Sequence, residues 1–276
     1  MIRGRGIYKS PVELRAMVAP GLATAASLDA VRAAIRPGIS TLELDAIAES
    51  AIRALGGVPN FAKEPGYRHT ICASVNDEVV HGIPGGRTIE PGDIVSIDSG
   101  AEVGGWNGDA AFTVVVPDPE RPELVAERQR LADAAELALW HGIAALAAAD
   151  HLGEVGAAVE DCLDAQGGLG IVEGYTGHGI GRSMHEDPSV FNYRVRERGP
   201  RVKPGLAVAI EPMVTLGGID TVVRDDGWTV ATVDGSAAAH WEHSVAVHDD
   251  GIWVLTAADG GASALRRLGV VPAPIR

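Results

Sequence analysis

"EPGDIVSID", residues 90–98, has the same pattern as "KPGLAVAIE", residues 203–211. Each segment starts with a charged residue and Pro-Gly, continues as an apolar strand and ends in a carboxylate, so that Asp98 and Glu211 correspond. A pattern that recurs after a long interval is typical of an internally repeated fold. We therefore predict two similar α/β halves, related by a pseudo-twofold axis, that face each other across one cleft.

Outside these two segments, helix and strand signals alternate along the chain. SPVE (10–13) and STLE (40–43) are capping boxes that predict helix starts, and Pro20 predicts a break in the first helix. Runs of β-branched residues predict strands between residues 71 and 116, a helical block follows at 123–165, and short strands return after it. The order α, β, α, β indicates a mixed α/β (α+β) fold.

The composition is that of a globular protein with an excess of acidic residues. The chain has 276 residues, 46% of them hydrophobic, and a formal net charge of −14 at pH 7. This charge gives no long-range attraction to nucleic acid phosphates or anionic lipids. No window supplies the ~18 uninterrupted apolar residues of a membrane span, and two cysteines are too few for a disulfide framework. We expect a cytoplasmic protein that binds neither nucleic acid nor membranes directly.

Two aspartates flank a predicted hairpin. Asp98 ends one strand, Asp109 lies in the next, and SGAEVGGWNG (99–108) separates them. If the two aspartates lie directly opposite each other, the hairpin centre falls between Val103 and Gly104, where a Val-Gly-Gly run supplies turn residues. Carboxylates on opposed residues, with Cβ atoms ~4.5 to 5.5 Å apart, repel unless a cation lies between them. The alternative is one solvated aspartate and one turn aspartate.

Two glutamates strengthen the case for a metal site. Glu211 holds the repeated carboxylate position, and Glu242 lies in the apolar strand WEHSVAV. Strand alternation places His243 on the opposite face, whereas His240 shares the Glu242 face and lies either beside the carboxylates or at the surface. Four carboxylates balance two divalent cations, and two such ions stabilise a bound hydroxide and the oxyanion that it creates on a carbonyl. The pattern therefore indicates hydrolytic chemistry.

A glycine-rich segment, GYTGHGIGRSMHEDPSV (174–190), supplies two histidines. Its glycines and proline exclude a long helix, but they allow close approach of the backbone to a ligand. Each of His178 and His185 could singly be a surface or hydrogen-bonded residue. Beside four carboxylates, at least one imidazole would complete a site for a hard to borderline metal ion.

In order and spacing, these segments resemble type I methionine aminopeptidases of the pita-bread fold. The resemblance runs from about residue 8 to about 256 and rests on four segments: ICASVNDEVVHGIPGGRTIEPGDIVSIDSGAEVGGWNGDAAFTVVV, GYTGHGIGRSMHEDPSV, KPGLAVAIEPM and WEHSVAV. It implies a single catalytic domain over residues 1–276, with repeated halves at about 10–120 and 121–256 around a dinuclear metal cleft. It also implies removal of N-terminal methionine when the second residue is small.

The resemblance implies a set of metal ligands and two kinds of cation. The five expected ligands are Asp98, Asp109, His178, Glu211 and Glu242. Asp109 and Glu242 are expected to bridge two divalent ions, which could be Co, Mn, Fe(II) or Zn because carboxylate-dominated sites accept each of them. The family's monovalent cation site would lie near Asn76 and use backbone oxygens.

The resemblance also assigns residues to the substrate. His81 would contact the substrate backbone near the scissile nitrogen, and His185 would hydrogen-bond the carbonyl and the developing oxyanion. Glu211 would also shuttle a proton as a catalytic residue. The methionine side chain is expected in a pocket built from Tyr67, Cys72, Met184 and Trp228, for which ordinary core packing is the alternative. The family often has Phe at the position of Met184, whose side chain is apolar and deformable.

Two other functions fit the same fold. Prolidases and aminopeptidase P act on X-Pro bonds with a closely related ligand set, and non-catalytic pita-bread binding proteins tend to lose ligands. The segments around His81 and Trp228 fit methionine aminopeptidase better, and all five ligand positions are filled. We expect a monomer whose partner is the N-terminus of a peptide or nascent chain; a transient contact with the ribosome is left open.

Overall fold

A computed structural model describes residues 6–276 of the chain. Its α-helices are α1 (Pro11–Ala16), α2 (Val18–Ala34), α3 (Thr41–Ala54), α4 (Pro122–Leu146), α5 (Gly153–Gln166) and α6 (Ala262–Leu265). Short 3-10 helices cover Phe61–Lys63 and Arg266–Leu268. Among the helices of this part of the chain, none is both long enough and apolar enough to cross a membrane.

Fifteen strands are present in the described residues. They are β1 (Val58–Pro59), β2 (Ile71–Val75), β3 (Glu78–Val80), β4 (Ile94–Val103), β5 (Trp106–Val115), β6 (Gly170–Ile171), β7 (Gly177–Gly179), β8 (Glu186–Val190), β9 (Ala207–Ile210), β10 (Met213–Thr215), β11 (Thr221–Val223), β12 (Val230–Thr232), β13 (Ala238–His240), β14 (Glu242–His248) and β15 (Gly251–Val254).

The predicted helix starts are confirmed, and the predicted break is displaced by a few residues. Both capping boxes form: the Ser10 N–H donates to the Glu13 carboxylate at 2.9 Å, and the box at residues 40–43 has the same geometry. The break falls at Met17, between α1 and α2. Pro20 then lies in the first turn of α2, where its missing N–H leaves no hydrogen bond unmade.

A nine-stranded antiparallel sheet forms the centre of the fold. Its order is β1-β4-β5-β14-β9-β7-β8, with β2 also paired to β4 and β15 to β14. Helix α2 packs against α3, β4 and β5, while α4 packs against α5, β5 and β14, so helices from both parts of the chain bury one large hydrophobic core. Two three-stranded sheets, β13-β10-β6 and β11-β12-β3, complete the mixed α/β structure.

The four central strands are arranged symmetrically about the pairing of β5 with β14. β5 and β14 pair in the middle, with β4 outside β5 and β9 outside β14. A twofold axis between β5 and β14 would exchange β4 with β9. Asp98 in β4 and Glu211, directly after β9, therefore occupy equivalent places on the two sides of the centre.

The register of the β4-β5 hairpin differs from the predicted one. Asp98 pairs with Ala111 rather than with Asp109, so the prediction that the two aspartates lie directly opposite is wrong. The reversal is centred between Gly104 and Gly105, one residue beyond the predicted position, and both glycines have positive φ (60° and 76°). Because side chains alternate with a period of two residues, the aspartates still face the same side of the sheet as diagonal neighbours.

Candidate active site

Four buried carboxylates converge on one side of the central strands. Asp98 and Asp109 lie on adjacent strands, Glu242 is the first residue of β14, and Glu211 follows β9; each is less than a tenth exposed. Atoms of Asp98, Asp109 and Glu242 able to bind a metal all lie within 4.8 Å of one another. His178, Glu211 and Glu242 form a second such group, and Asp109, His178 and His185 form a third. The structure thus brings all five predicted ligands together.

The carboxylates have the electrostatics of a cation site. Burial raises the pKa of Asp98 to about 7. Burial, reinforced by the neighbouring carboxylates, raises the pKa values of Asp109, Glu211 and Glu242 well above their usual range. One oxygen each of Asp98, Asp109 and Glu242 has no hydrogen-bond partner among the described residues. Buried oxygens without donors are costly unless a cation compensates them, so the donor set fits divalent metal ions.

His178 presents a ring nitrogen to this group. Its Nδ1 lies 2.9 Å from the Gly179 carbonyl and, as the donor, leaves the Nε2 lone pair free, 3.5 Å from Glu211 Oε1. Burial lowers its pKa to about 4, so the ring is neutral at pH 7, as a metal ligand must be. A Cβ at Gly177 would collide with the carbonyl of Ala209, which explains why β7 requires glycine beside the histidine.

Two further histidines lie at the same pocket. The His185 ring packs edge-to-face against the His178 ring, with centroids 4.5 Å apart, but the His185 residue is exposed. His81 adopts a left-handed backbone (φ 62°) and lies 5.8 Å from Tyr175 and 6.4 Å from Trp228 between ring centroids. Burial lowers the pKa values of His81 and His185, which favours neutral rings at pH 7. The left-handed backbone of His81 is typical of functional sites, where unusual backbone conformations cluster.

The two histidines near Glu242 have separate environments. His240 is 1% exposed, and its Nε2 lies 3.7 Å from Glu211 Oε2, so the surface alternative for this residue is wrong. His243 faces the other side of the sheet, with Nδ1 2.9 Å from the Thr256 hydroxyl and its ring against Trp140. Strand alternation therefore separates the two as predicted.

The four residues predicted for the methionine pocket lie in one apolar cluster. Tyr67, Cys72 and Met184 are buried together, and the half-buried Trp228 packs against them. The Tyr67 ring meets the Trp228 ring edge-to-face at 5.0 Å, and the Tyr67 hydroxyl donates to the Ile71 carbonyl at 2.6 Å. These contacts orient the rings towards a shared space beside the carboxylates.

The four carboxylates, the histidines His81, His178 and His185, and the apolar cluster line one pocket of about 240 Å³. Sequence reasoning missed several of its lining residues: Phe61, Glu64, Val80, Tyr175, Thr176 and Met213. For two of them a signal existed, because Tyr175 and Thr176 belong to the same glycine-rich segment as His178. Phe61 and Glu64 belong to a 3-10 turn and its end, for which no motif or periodicity gave a signal.

Comparison with known proteins identifies a family that matches most of the chain. Residues 15–249 match metallopeptidase family M24. Methionine aminopeptidase 1 of Mycobacterium tuberculosis is 49% identical over 263 residues, which are 92% of this chain and 97% of that protein. Methionine aminopeptidase 1 of Bacillus subtilis is 40% identical over 250 residues, 91% and 98% of the two chains.

The fold is also similar to that of a solved methionine aminopeptidase. The crystal structure of a methionine aminopeptidase from Thermotoga maritima is similar, with a TM-score of 0.84 and 36% identity, over 93% of this chain and 99% of that chain. The residues that line the pocket all fall within the matched range of the family. The chain belongs to metallopeptidase family M24.

Proposed function

We propose that this protein is a metal-dependent aminopeptidase that removes the N-terminal methionine of peptides and nascent chains when the second residue is small. The observation that carries the proposal is that one pocket is lined both by a set of metal-binding side chains and by an apolar cluster. The relatives that match nearly end to end, at 40% and 49% identity, are methionine aminopeptidases. A solved methionine aminopeptidase shares the fold of this chain, the pita-bread fold that the sequence predicted.

Membership of a metallopeptidase family implies divalent metal ions. The residues that would hold them are Asp98, Asp109, His178, Glu211 and Glu242. Asp109, Glu242 and His178 each belong to two of the three candidate groups. Since a carboxylate has two oxygens and an imidazole Nε2 only one lone pair, these two carboxylates suit the bridging positions. We propose Co, Mn, Fe(II) or Zn as the ions, all of which such a donor set accepts.

The chain's own groups would orient the peptide and manage its protons. Divalent ions, when bound, supply Lewis-acid polarisation and activate water for hydrolysis. Glu211 would accept a proton and return it to the leaving nitrogen. His185 can donate a hydrogen bond to the substrate carbonyl as negative charge develops there, and His81 can contact the backbone near the scissile nitrogen.

The apolar cluster would select methionine. An unbranched thioether side chain fits a pocket lined by Tyr67, Cys72, Met184 and Trp228, and it gains contact with their rings and sulfur atoms. Burial raises the pKa values of Tyr67 and Cys72, which keeps both groups neutral and the pocket apolar. A charged first residue would lose its hydration there without compensation.

Several finer points belong to the same proposal. We propose one catalytic domain over residues 1–276, with halves at about 10–120 and 121–256, acting as a cytoplasmic monomer. The monovalent cation near Asn76 stays a prediction; Asn76 has φ 64°, and its backbone carbonyl accepts the N–H of Ala238 at 2.9 Å. A transient contact with the ribosome also stays a prediction.

Tripeptides test the activity and separate it from the alternatives. We expect the metal-loaded protein to cleave Met-Ala-Ser and to leave Met-Leu-Ser nearly untouched, because a large second side chain would clash in the confined cleft. Ala-Pro-Ser should not be cleaved. Equal turnover of Met-Ala-Ser and Met-Leu-Ser, or a preference for Ala-Pro-Ser, would contradict the proposal, and the absence of any cleavage would favour a binding protein.

A further inference from the structure

Glu64 brings a fifth carboxylate to the pocket, outside the set that would hold metal. It follows the 3-10 helix Phe61–Lys63, is half-buried and lines the same space as His185. Its backbone N–H donates to the Phe61 carbonyl at 2.9 Å, but its carboxylate has no hydrogen bond or salt bridge within residues 6–276. The adjacent Lys63 is paired with Glu102 and does not neutralise it.

Glu64 lies towards the open end of the pocket. The metal-binding end is closed, since its carboxylates are less than a tenth exposed, whereas His185 is exposed. The charge of Glu64 acts on His185, where it opposes the burial that lowers the pKa of that histidine. The segment after Glu64 approaches Trp228, because a Cβ at Gly66 would lie 3.9 Å from the Trp228 ring.

A peptide bound by its N-terminus must leave through this open end. Under the proposed function, the methionine side chain fills the apolar cluster and the scissile carbonyl lies near His185. The second residue is small, so the third is the first whose side chain has room. An extended chain advances about 3.3 Å per residue, which brings a long third side chain within reach of the Glu64 carboxylate.

We infer that Glu64 forms a subsite for a cationic side chain, lysine or arginine, at the third residue of the substrate. The inference rests on the proposed function and adds a preference that the metal centre and the methionine pocket do not supply. A half-exposed carboxylate without an internal partner can pair with an arriving ammonium or guanidinium without first breaking another contact. The same charge repels a glutamate at that position.

The test compares Met-Ala-Lys, Met-Ala-Ser and Met-Ala-Glu, each amidated at the C-terminus, with wild type, Glu64→Gln and Glu64→Lys. For wild type we expect a kcat/KM for Met-Ala-Lys about fivefold above that for Met-Ala-Glu at low salt, the size of a partly exposed ion pair. Glu64→Gln should bring this ratio close to one, and Glu64→Lys should invert it. Added salt should reduce the wild-type ratio.

A matched control separates Glu64 from the general negative field of the protein. Glu127 is exposed on α4 and lies outside the pocket, so Glu127→Gln makes the same charge change and should leave the ratio as in wild type. Thermal unfolding of each variant checks that it is folded.

Two outcomes would overturn the inference while Met-Ala-Ser is still cleaved. The first is a Met-Ala-Lys to Met-Ala-Glu ratio that is unchanged in both Glu64 variants. The second is an equal loss of kcat/KM on all three peptides, which would assign Glu64 to the N-terminal ammonium that they share. Failure of wild type to cleave Met-Ala-Ser would contradict the proposed function itself.

Discussion

The imidazole rings of His178 and His185 meet edge-to-face with centroids 4.5 Å apart, yet the His178 side chain is only 12% exposed whereas the residue His185 is exposed. His178 is fixed by the Gly179 carbonyl and directs Nε2 at Glu211. His185 lies at the entrance, where a substrate carbonyl can reach it. Adjacent histidines thus have different surroundings, and their removal should have different consequences.

His185→Ala should lower kcat by ~10² to 10³ while metal binding stays nearly intact, which is the usual effect of removing one donor to an oxyanion. His178→Ala should instead lose metal affinity, because it removes a neutral, pre-oriented nitrogen from the buried group. Bound metal and kcat measured for both variants decide the matter. Equal loss of metal in both, or full kcat in His185→Ala, would show that the assigned roles are wrong.

The carboxylate cluster should make the metal-free protein sensitive to pH. Because the pKa of Asp98 is raised to about 7, the folded chain holds a proton that the unfolded chain releases near pH 4. The stability of the chelated protein should therefore fall as pH rises from about 4 to 7. Bound metal compensates the charge and should flatten this dependence, as thermal unfolding from pH 5 to 8 with and without chelator would show.

Asp98→Asn provides the matched variant for this effect. Removing one buried charge should raise the Tm of the chelated protein at pH 8 and leave its Tm at pH 5 nearly unchanged. The same substitution should abolish cleavage, since a metal-binding group is lost. A chelated wild type whose Tm does not vary with pH, or an Asp98→Asn variant with an unchanged Tm at pH 8, would contradict this account of the buried carboxylates.

The hairpin that carries Trp228 is tied down by Arg224. Its guanidinium donates to Asp77 at 2.6 Å and to the buried Glu78 at 2.8 Å. Arg224→Met should loosen the wall of the methionine pocket and raise KM for Met-Ala-Ser more than it lowers kcat, with a loss of about 1 kcal/mol in unfolding free energy. Arg224→Lys should recover part of the KM. If Arg224→Met has the KM of wild type, the ring contacts of Trp228 are sufficient to hold it in place.

The elements that position the site follow regular sequence patterns. Asp98, Asp109 and Glu242 lie on strands whose period of two residues sets the face of each side chain, and the repeated Pro-Gly motif locates Glu211. The register of the hairpin does not follow in the same way. A Val-Gly-Gly run allows a reversal at either of two positions, and only pairing along the full strands selects one.

Residues outside regular elements were harder to place. Phe61 and Glu64 reach the pocket through a 3-10 turn whose path is set by tertiary packing. His240 could be assigned to the correct face but not to the interior, because its burial depends on how β13 packs against β3 and β4. Contacts between distant segments of the chain decide such positions, and local sequence carries no signal for them.

The most direct test of the central claim counts metal ions and measures cleavage in one titration. Chelated wild type and Asp109→Ala are titrated with Mn²⁺ or Co²⁺ under anaerobic conditions, and bound metal and Met-Ala-Ser turnover are recorded at each step. The account predicts that wild-type turnover appears only with metal and saturates by two ions per chain. It predicts that Asp109→Ala binds fewer ions and shows no turnover, since it lacks a carboxylate shared between two groups. Full turnover in the chelated wild type, or wild-type metal loading and turnover in Asp109→Ala, would contradict it.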